Sequence, residues 1–253
     1  MTSEVMIMNR QAVALAADSA VTYGGGPEPV VTLEAEKILP LNGSVALMVY
    51  SRGDVLGRSW SQIAHAFRQQ HGSTEFESVA DCAKAFFAFV DGNRKLFPER
   101  EEREEFEGLM RAAFLTLMNH ARAMASYPGA GYEDDAAAFE AALELYRSHL
   151  AHDESGRPRA DLEVFGHLTR ERFYELYGSM LDQLIADALG AFGQEEAMRA
   201  RLFDFAYMIV IKPAFLEPYA GLVFAGLGSG DIFPVYVHHY ASILVDGVMK
   251  RAH

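Results

Sequence analysis

The order of local sequence patterns along the chain restricts its fold more than any single motif does. Apolar runs separated by turn residues fill about the first fifty positions, helical spacing of apolar residues dominates from about 55 to 205, and short apolar runs then return. Strands, then helices, then strands again indicate an α+β fold, because a parallel α/β sheet needs strands and helices to alternate. We predict a single domain over 1–253 with an enlarged central helical region at roughly 75–200.

Two β-hairpins are predicted in the N-terminal part, each from two apolar runs joined by turn residues. The turn pair Asn42-Gly43 is a strong hairpin signal, because both residues tolerate positive φ. The strand, turn and strand segments are 5–8, 9–11 and 12–17 in the first hairpin and 37–41, 42–43 and 44–50 in the second.

Helix start and stop signals follow from about position 55. Gly72 is placed to end a helix that contains Trp60 and Phe67, and Thr74-x-x-Glu77 has the capping-box pattern that opens the next helix. Further helices are predicted at 134–152 and 169–192, and strands at 205–211, 222–225 and 235–245.

Composition excludes several classes of function. A net charge of −13 argues against nucleic-acid and anionic-membrane partners. Cys82 is the only cysteine, so no internal disulfide and no cysteine-rich metal site can form. No apolar run reaches the ~20 residues of a membrane helix, and no signal peptide is visible, so we expect a cytoplasmic protein. Neither a cofactor nor a metal is predicted.

Three residues near the start of the chain suggest a reactive site. Thr2 follows the first methionine, and removal of Met1 would give the threonine a free α-amino group, a base with an unperturbed pKa of about 7.7–8.0. Nucleophile and base would then lie on one residue. Asp18 and Lys37 are candidates to orient and tune them.

The segment Ala-Leu-Ala-Ala-Asp-Ser, followed by Glu-Lys-Ile, resembles proteasome β subunits, which are N-terminal nucleophile (Ntn) hydrolases. The resemblance implies that Thr2 is the nucleophile, sixteen residues before Asp18, as in the family. Lys37 would be the catalytic lysine, nineteen residues after Asp18 instead of the family's sixteen. The insertion of three residues that this requires falls at 24–29.

The same resemblance implies two further site residues. Ser51 stands where the family has a glycine-rich oxyanion turn, so its backbone N–H would be the oxyanion donor. Ser229, within Gly228-Ser229-Gly230, would inherit the supporting role of the family's late serine. For the family's acidic residue that contacts the nucleophile, Asp231 and Asp246 are both open candidates.

The resemblance implies stacked antiparallel β-sheets with flanking helices, and hydrolysis of a peptide or amide substrate through an acyl-enzyme. It also implies a homo-oligomer. Two alternatives remain open at this point. The chain can be a catalytically inactive protein of the same fold that serves as an oligomeric structural or binding module. It can also be an unrelated α+β protein whose match is accidental.

Overall fold

The computed structural model describes residues 3–23, 30–32, 35–127, 131–132, 134–190 and 195–253. The strands are β1 Glu4–Met8, β2 Val13–Ala17, β3 Val21–Tyr23, β4 Val30–Thr32, β5 Ile38–Pro40, β6 Val45–Ser51, β7 Asp54–Val55, β8 Arg58–Ser59, β9 Ala220–Gly226, β10 Val235–Val245 and β11 Val248–Ala252. The helices are α1 Trp60–His71, α2 Val79–Val90, α3 Glu99–Ala125, α4 Asp135–Ala151, α5 Arg170–Leu189 and α6 Glu196–Ile211. The α+β class is confirmed.

The chain divides into two compact units. The first unit consists of Met1–Pro98, Pro218–Ser242 and Arg251–His253, and the second of Glu99–Glu217 and Ile243–Lys250. Each unit is therefore built from stretches that are far apart in sequence, and each has a buried core of its own.

An antiparallel sheet with the strand order β5-β6-β9-β10-β11 organises the first unit. The register of β6 with β9 pairs Ser51 with Ala220 at one end and Val45 with Gly226 at the other. The Tyr50 ring lies against Gly221 of the neighbouring strand, and a Cβ added at Gly221 would lie 2.0 Å from this ring. Only glycine at 221 leaves room for this ring.

Helices α1 and α2 cover this sheet because their apolar faces carry large aromatic side chains. α1 packs against β5 and α2 against β9. The buried rings of Phe67 and Phe86 lie 5.3 Å apart, and Phe86 lies 5.5 Å from Phe224 of β9. Gly72 forms the C-cap of α1, which confirms the predicted helix end.

The start of α2 differs from its prediction. The N-cap is Ser78, whose hydroxyl accepts a hydrogen bond from the Asp81 N–H at 3.1 Å. Thr74 lies four residues earlier, in the loop after α1, and Asn42 donates a side-chain hydrogen bond to its carbonyl. The capping-box prediction for Thr74 and Glu77 was therefore wrong, and the cap is the next serine.

The second unit is a group of four packed helices, α3 to α6. α3 packs on α4 and α5, and α6 packs on the same two helices. The predicted strand at 205–211 was wrong, because this segment is the last part of α6. All seven of its residues are buried, so the segment lacks the polar face by which an amphipathic helix is identified.

Both N-terminal hairpins are confirmed. β1 pairs with β2 in the register Glu4↔Ala17 to Met8↔Val13, and β5 pairs with β6 in the register Ile38↔Met48 to Pro40↔Ala46. Asn42 shapes the second turn, because its side-chain oxygen accepts from the Ser44 and Val45 N–H groups at 2.9 and 2.7 Å. The strands predicted at 222–225 and 235–245 are also present, as β9 and β10.

Besides the five-stranded sheet, the described residues form three two-stranded sheets, β1–β2, β3–β4 and β7–β8. The Ntn-type stack of two larger sheets therefore stays a prediction. In the described ranges, every helix is too short or too polar to cross a bilayer.

Candidate active site

A partly buried ion pair lies between the first hairpin and the start of β5. The Lys37 ammonium donates to the Asp18 carboxylate, and also to the Ala20 carbonyl at 2.9 Å. Lys37 is only 8% exposed, whereas the Asp18 side chain is 34% exposed. The hydrogen bond from Lys37 holds the pKa of Asp18 below its usual value, and the positive charge of Lys37 acts in the same direction. Asp18 is thus an anion under ordinary conditions.

The ion pair is tied to the beginning of the chain. The Asp18 N–H donates to the Ser3 carbonyl at 3.0 Å, continuing the β1–β2 ladder by one step beyond the pair Glu4 and Ala17. Ser3 is bonded to Thr2, which lies outside the described residues, as does the insertion at 24–29. The structure brings Asp18 and Lys37 together, beside the residue that follows the predicted nucleophile.

Ser51 lies at the last position of β6, at the end of the sheet nearest to Lys37. The Val49 N–H donates to the Lys37 carbonyl at 2.8 Å, and N–H groups two residues apart on a strand point to the same side. The Ser51 N–H is therefore directed to the Lys37 side of β6. Ser51 has a φ of 67°, the left-handed conformation that favours glycine.

The structure does not bring Ser229 to this place. Ser229 follows the Gly226 end of β9, whereas Ser51 pairs with Ala220 at the opposite end. Seven strand residues separate the two ends by about 20 Å. The Ser229 N–H and hydroxyl both donate to the Phe76 carbonyl, at 2.9 and 3.3 Å, so the serine fastens a loop.

The two aspartates that the sequence left open also have structural partners. Asp231, in the loop between β9 and β10, accepts from the Gly228 N–H at 2.8 Å and from the Val79 N–H at the start of α2 at 3.3 Å. Asp246 forms the turn between β10 and β11 in the second unit and lies 3.5 Å from a guanidinium nitrogen of Arg172. Among the described residues, Asp231 has no hydrogen bond or ion pair with Asp18 or Lys37.

Sequence reasoning missed Glu4, a carboxyl group beside the ion pair. Glu4 lies opposite Ala17 in β1–β2, and its Oε1 atom is buried. Burial raises the pKa of Glu4, and the negative charge of Asp18 adds to this, while the positive charge of Lys37 acts in the opposite direction. One signal was available: Glu4 opens an otherwise apolar strand of Val, Met and Ile.

No protein-family model, no curated protein and no solved structure matches this chain. The resemblance to Ntn hydrolases therefore depends on the residues named above, and the site has to be judged on its own geometry.

Proposed function

We propose that the chain is an N-terminal threonine hydrolase that cleaves peptide or amide bonds through an acyl-enzyme. One observation carries the proposal: the residue after Thr2 is hydrogen-bonded to Asp18, whose carboxylate holds the buried Lys37 ammonium. A buried cation beside a chain terminus is suited to lower the pKa of an α-amino group and a hydroxyl. The proposal requires processing that makes Thr2 the first residue.

In the proposed reaction, Thr2 Oγ attacks the substrate carbonyl carbon while the Thr2 α-amino group takes the hydroxyl proton. The C–N bond then breaks, and the departing amine receives that proton from the α-ammonium group. An ester on Thr2 remains. Water attacks the ester, the α-amino group takes a proton from the water and returns it to Thr2 Oγ, and the carboxylic acid leaves.

Lys37 would supply the electrostatic field for these steps. An ammonium group has three N–H donors, and Lys37 commits one to Asp18 and one to the Ala20 carbonyl. The third N–H can be directed to the Thr2 hydroxyl. Because Lys37 is nearly excluded from solvent, its charge acts more strongly there than a charge in water does.

The Ser51 N–H would stabilise the oxyanion that forms on the substrate. Its direction, toward the Lys37 side of β6, agrees with this role. A single well-placed donor of this kind contributes about 3 kcal/mol to the transition state. We leave Ser229 out of the proposed site, because its hydroxyl is bound to Phe76 at the other end of the sheet.

The decisive experiment combines intact mass with a pair of variants at Thr2. We expect the purified active protein to begin at Thr2 and to release amine from short amide substrates. Thr2→Ala should abolish this activity, whereas Thr2→Ser should retain part of it, because serine keeps a hydroxyl nucleophile. Equal rates for Thr2→Ala and the unmodified protein would overturn the proposal.

The proposal extends to assembly and location, as the resemblance implies. We propose a cytoplasmic homo-oligomer, and native mass measurement of the purified chain tests the oligomeric part. A monomer at all accessible concentrations would contradict it.

A further inference from the structure

Glu4 carries a hydrogen-bonding atom with no partner. Its Oε1 is buried, and no donor in the described part of the chain reaches it. A buried carboxylate oxygen without a donor carries a desolvation cost, so such an atom calls for an explanation. The atom belongs to the strand that begins two residues after Thr2, beside the proposed site.

The titratable groups around Glu4 come from three other elements. Asp18 follows β2, Lys37 precedes β5, and Tyr50 lies on β6. Burial raises the pKa of Tyr50 to about 12, the neighbouring Tyr240 adds to this, and the charge of Glu4 makes only a small further contribution. The Tyr50 hydroxyl is 2.8 Å from His238 Nε2. The ammonium of Lys37 donates one hydrogen bond to Asp18 and one to the Ala20 carbonyl, and Glu4 accepts neither of them.

We propose that Glu4 is a positioning residue, whose Oε1 accepts a hydrogen bond from the α-amino group that processing before Thr2 would release. This inference rests on the proposed function. Removal of the preceding residue converts an amide N–H into an amine with two or three donors, and an acceptor is then needed to fix the direction of its lone pair. Glu4 would supply that acceptor.

The spacing along the chain permits the contact. Two residues of chain span at most about 7 Å, even when fully extended. The flexible glutamate side chain and a hydrogen bond of about 3 Å together span this distance.

The electrostatic consequence has a definite sign. A carboxylate beside an amine stabilises the protonated amine, which opposes the effect of Lys37. Glu4→Gln removes that negative charge and keeps the side-chain length, so the α-amino pKa should fall by about 0.5–1 unit. The acidic limb of the activity profile should move to lower pH by the same amount.

The test uses the full chain produced with Thr2 as its first residue, from a precursor with a cleavable leader. The α-amino pKa is obtained from the pH dependence of acylation of the N-terminal peptide, followed by mass spectrometry. Glu36→Gln is the matched control, because Glu36 is exposed and accepts only a 3.4 Å bond from Ser61. We expect a shift in Glu4→Gln and essentially none in Glu36→Gln.

Two further readouts separate positioning from a merely structural role. Glu4→Asp restores the charge on a shorter arm and should recover part of the shift. In amide hydrolysis, Glu4→Gln should lower kcat about tenfold with little change in KM, because the neutral amide oxygen is a weaker acceptor than the carboxylate and orients the amine less firmly. Equal α-amino pKa values in Glu4→Gln, Glu36→Gln and the unmodified chain would refute the inference.

The amine titration does not depend on catalysis. If every variant that begins at Thr2 is inactive toward amide substrates, the proposed function fails, while the titration still decides whether Glu4 contacts the amine. If the chain is active and Glu4→Gln leaves both the titration and kcat unchanged, only the role of Glu4 fails.

Discussion

Ser51 is a residue whose backbone conformation and proposed role can be tested separately. Its φ of 67° is costly for a residue with a Cβ and free for glycine. We expect Ser51→Gly to raise the free energy of unfolding by about 0.5–1 kcal/mol. Because the proposed oxyanion donor is a backbone N–H, hydrolysis should persist in the variant. Urea unfolding and amide hydrolysis measure the two effects.

Ser44→Gly is the control for this substitution. Ser44 is also exposed, but it does not have a positive φ, so glycine there should be neutral or destabilising. If both variants change the stability by the same amount, the left-handed conformation of Ser51 is not the cause.

Lys37 should matter far more for activity than for stability. Lys37→Met removes the charge that the proposed chemistry needs, so we expect kcat/KM to fall at least about 100-fold. Asp18, the partner left behind, keeps a third of its side chain in water, and the free energy of unfolding should fall by about 1 kcal/mol or less. The control is Lys84→Met, since Lys84 pairs with Asp81 at 3.6 Å on an exposed helix surface. Unchanged hydrolysis in Lys37→Met would exclude the mechanism.

The lowered pKa of His239 should reduce the free energy of unfolding in mild acid. Burial against Phe87 lowers the pKa of His239 to about 4, and the nearby positive charges of His253 and Arg251 add to this effect. As the pH falls below 6.5, the unfolded chain takes up a proton here before the folded chain does, so stability is lost between pH 6.5 and about 4. We expect His239 to account for about 1 kcal/mol of this loss, allowing for its partial exposure.

His239→Phe keeps the aromatic contact and removes the titration. The loss of stability between pH 6.5 and 4.5, measured by urea unfolding at each pH, should therefore be smaller in this variant. The exposed His65 provides the control variant His65→Phe. Identical pH dependence in His239→Phe and the unmodified protein would show that His239 is not responsible.

The contact between Asp18 and Lys37 could be predicted from the sequence, whereas the positions of Ser229 and Glu4 could not. Asp18 and Lys37 were found because short motifs that resemble those of a known family identified them, although Lys37 lies three residues further along than in that family, and the two side chains do meet. Ser229 was chosen on its Gly-Ser-Gly surroundings, which describe a turn and contain no information on which end of the sheet that turn occupies. Glu4 was overlooked because a single carboxyl at the start of a strand has no motif. Its significance appears only when the register places it opposite Ala17.

Among the elements, α2 offers a direct test of which residue begins a helix. Ser78 accepts from the Asp81 N–H and donates its hydroxyl to the Asp81 carboxylate at 2.7 Å, which lowers the pKa of that carboxyl. We expect Ser78→Ala to reduce the free energy of unfolding by about 1 kcal/mol. Thr74→Ala should have almost no effect, because Thr74 is exposed in the preceding loop. Thermal and urea unfolding of the two variants show whether Ser78 or Thr74 is the N-cap of α2. A larger loss of unfolding free energy in Thr74→Ala than in Ser78→Ala would contradict the structure.

Hairpins were predicted well because their signals are local. Asn42-Gly43 determines its turn through the Asn42 side chain and two neighbouring N–H groups, all within three residues. The end of α6 was misassigned because tertiary burial, not local preference, determines its structure. A run rich in Ile and Val is typical of a buried strand, but Phe205 to Ile211 is surrounded by α4 and α5, and complete burial hides the helical period.

At the scale of the whole molecule, each unit is assembled from separate stretches of chain, which no local pattern could predict. β10 leaves the first unit after Ser242, and Ile243–Lys250 then joins the core of α3 to α6. Inside the second unit, buried Glu102 accepts from the Gly247 N–H at 3.2 Å. The distant segment is thus fixed by polar contacts as well as by apolar burial.

Lys250 provides the strongest of these polar contacts. It is fully buried and donates to the Ile209 and Ala214 carbonyls at 2.6 and 2.7 Å and to Glu217 at 2.8 Å. Burial lowers the pKa of Lys250, although the charge of Glu217 opposes this. Each of these two buried charges has lost its hydration, and the attraction of the other charge offsets that cost. Removal of one charge therefore leaves the other buried without compensation.

We therefore expect Lys250→Met to lower the free energy of unfolding by about 3–5 kcal/mol, since it leaves Glu217 charged and buried with one fewer donor. The double variant Lys250→Met with Glu217→Leu removes both charges and should recover most of that loss. Far-UV circular dichroism is the suitable measurement, because four of the six α-helices in the described ranges lie in the second unit. If the double variant is as unstable as the sum of the two single variants, the pair is not coupled, and the other polar contacts and apolar packing hold Ile243–Lys250 in this core.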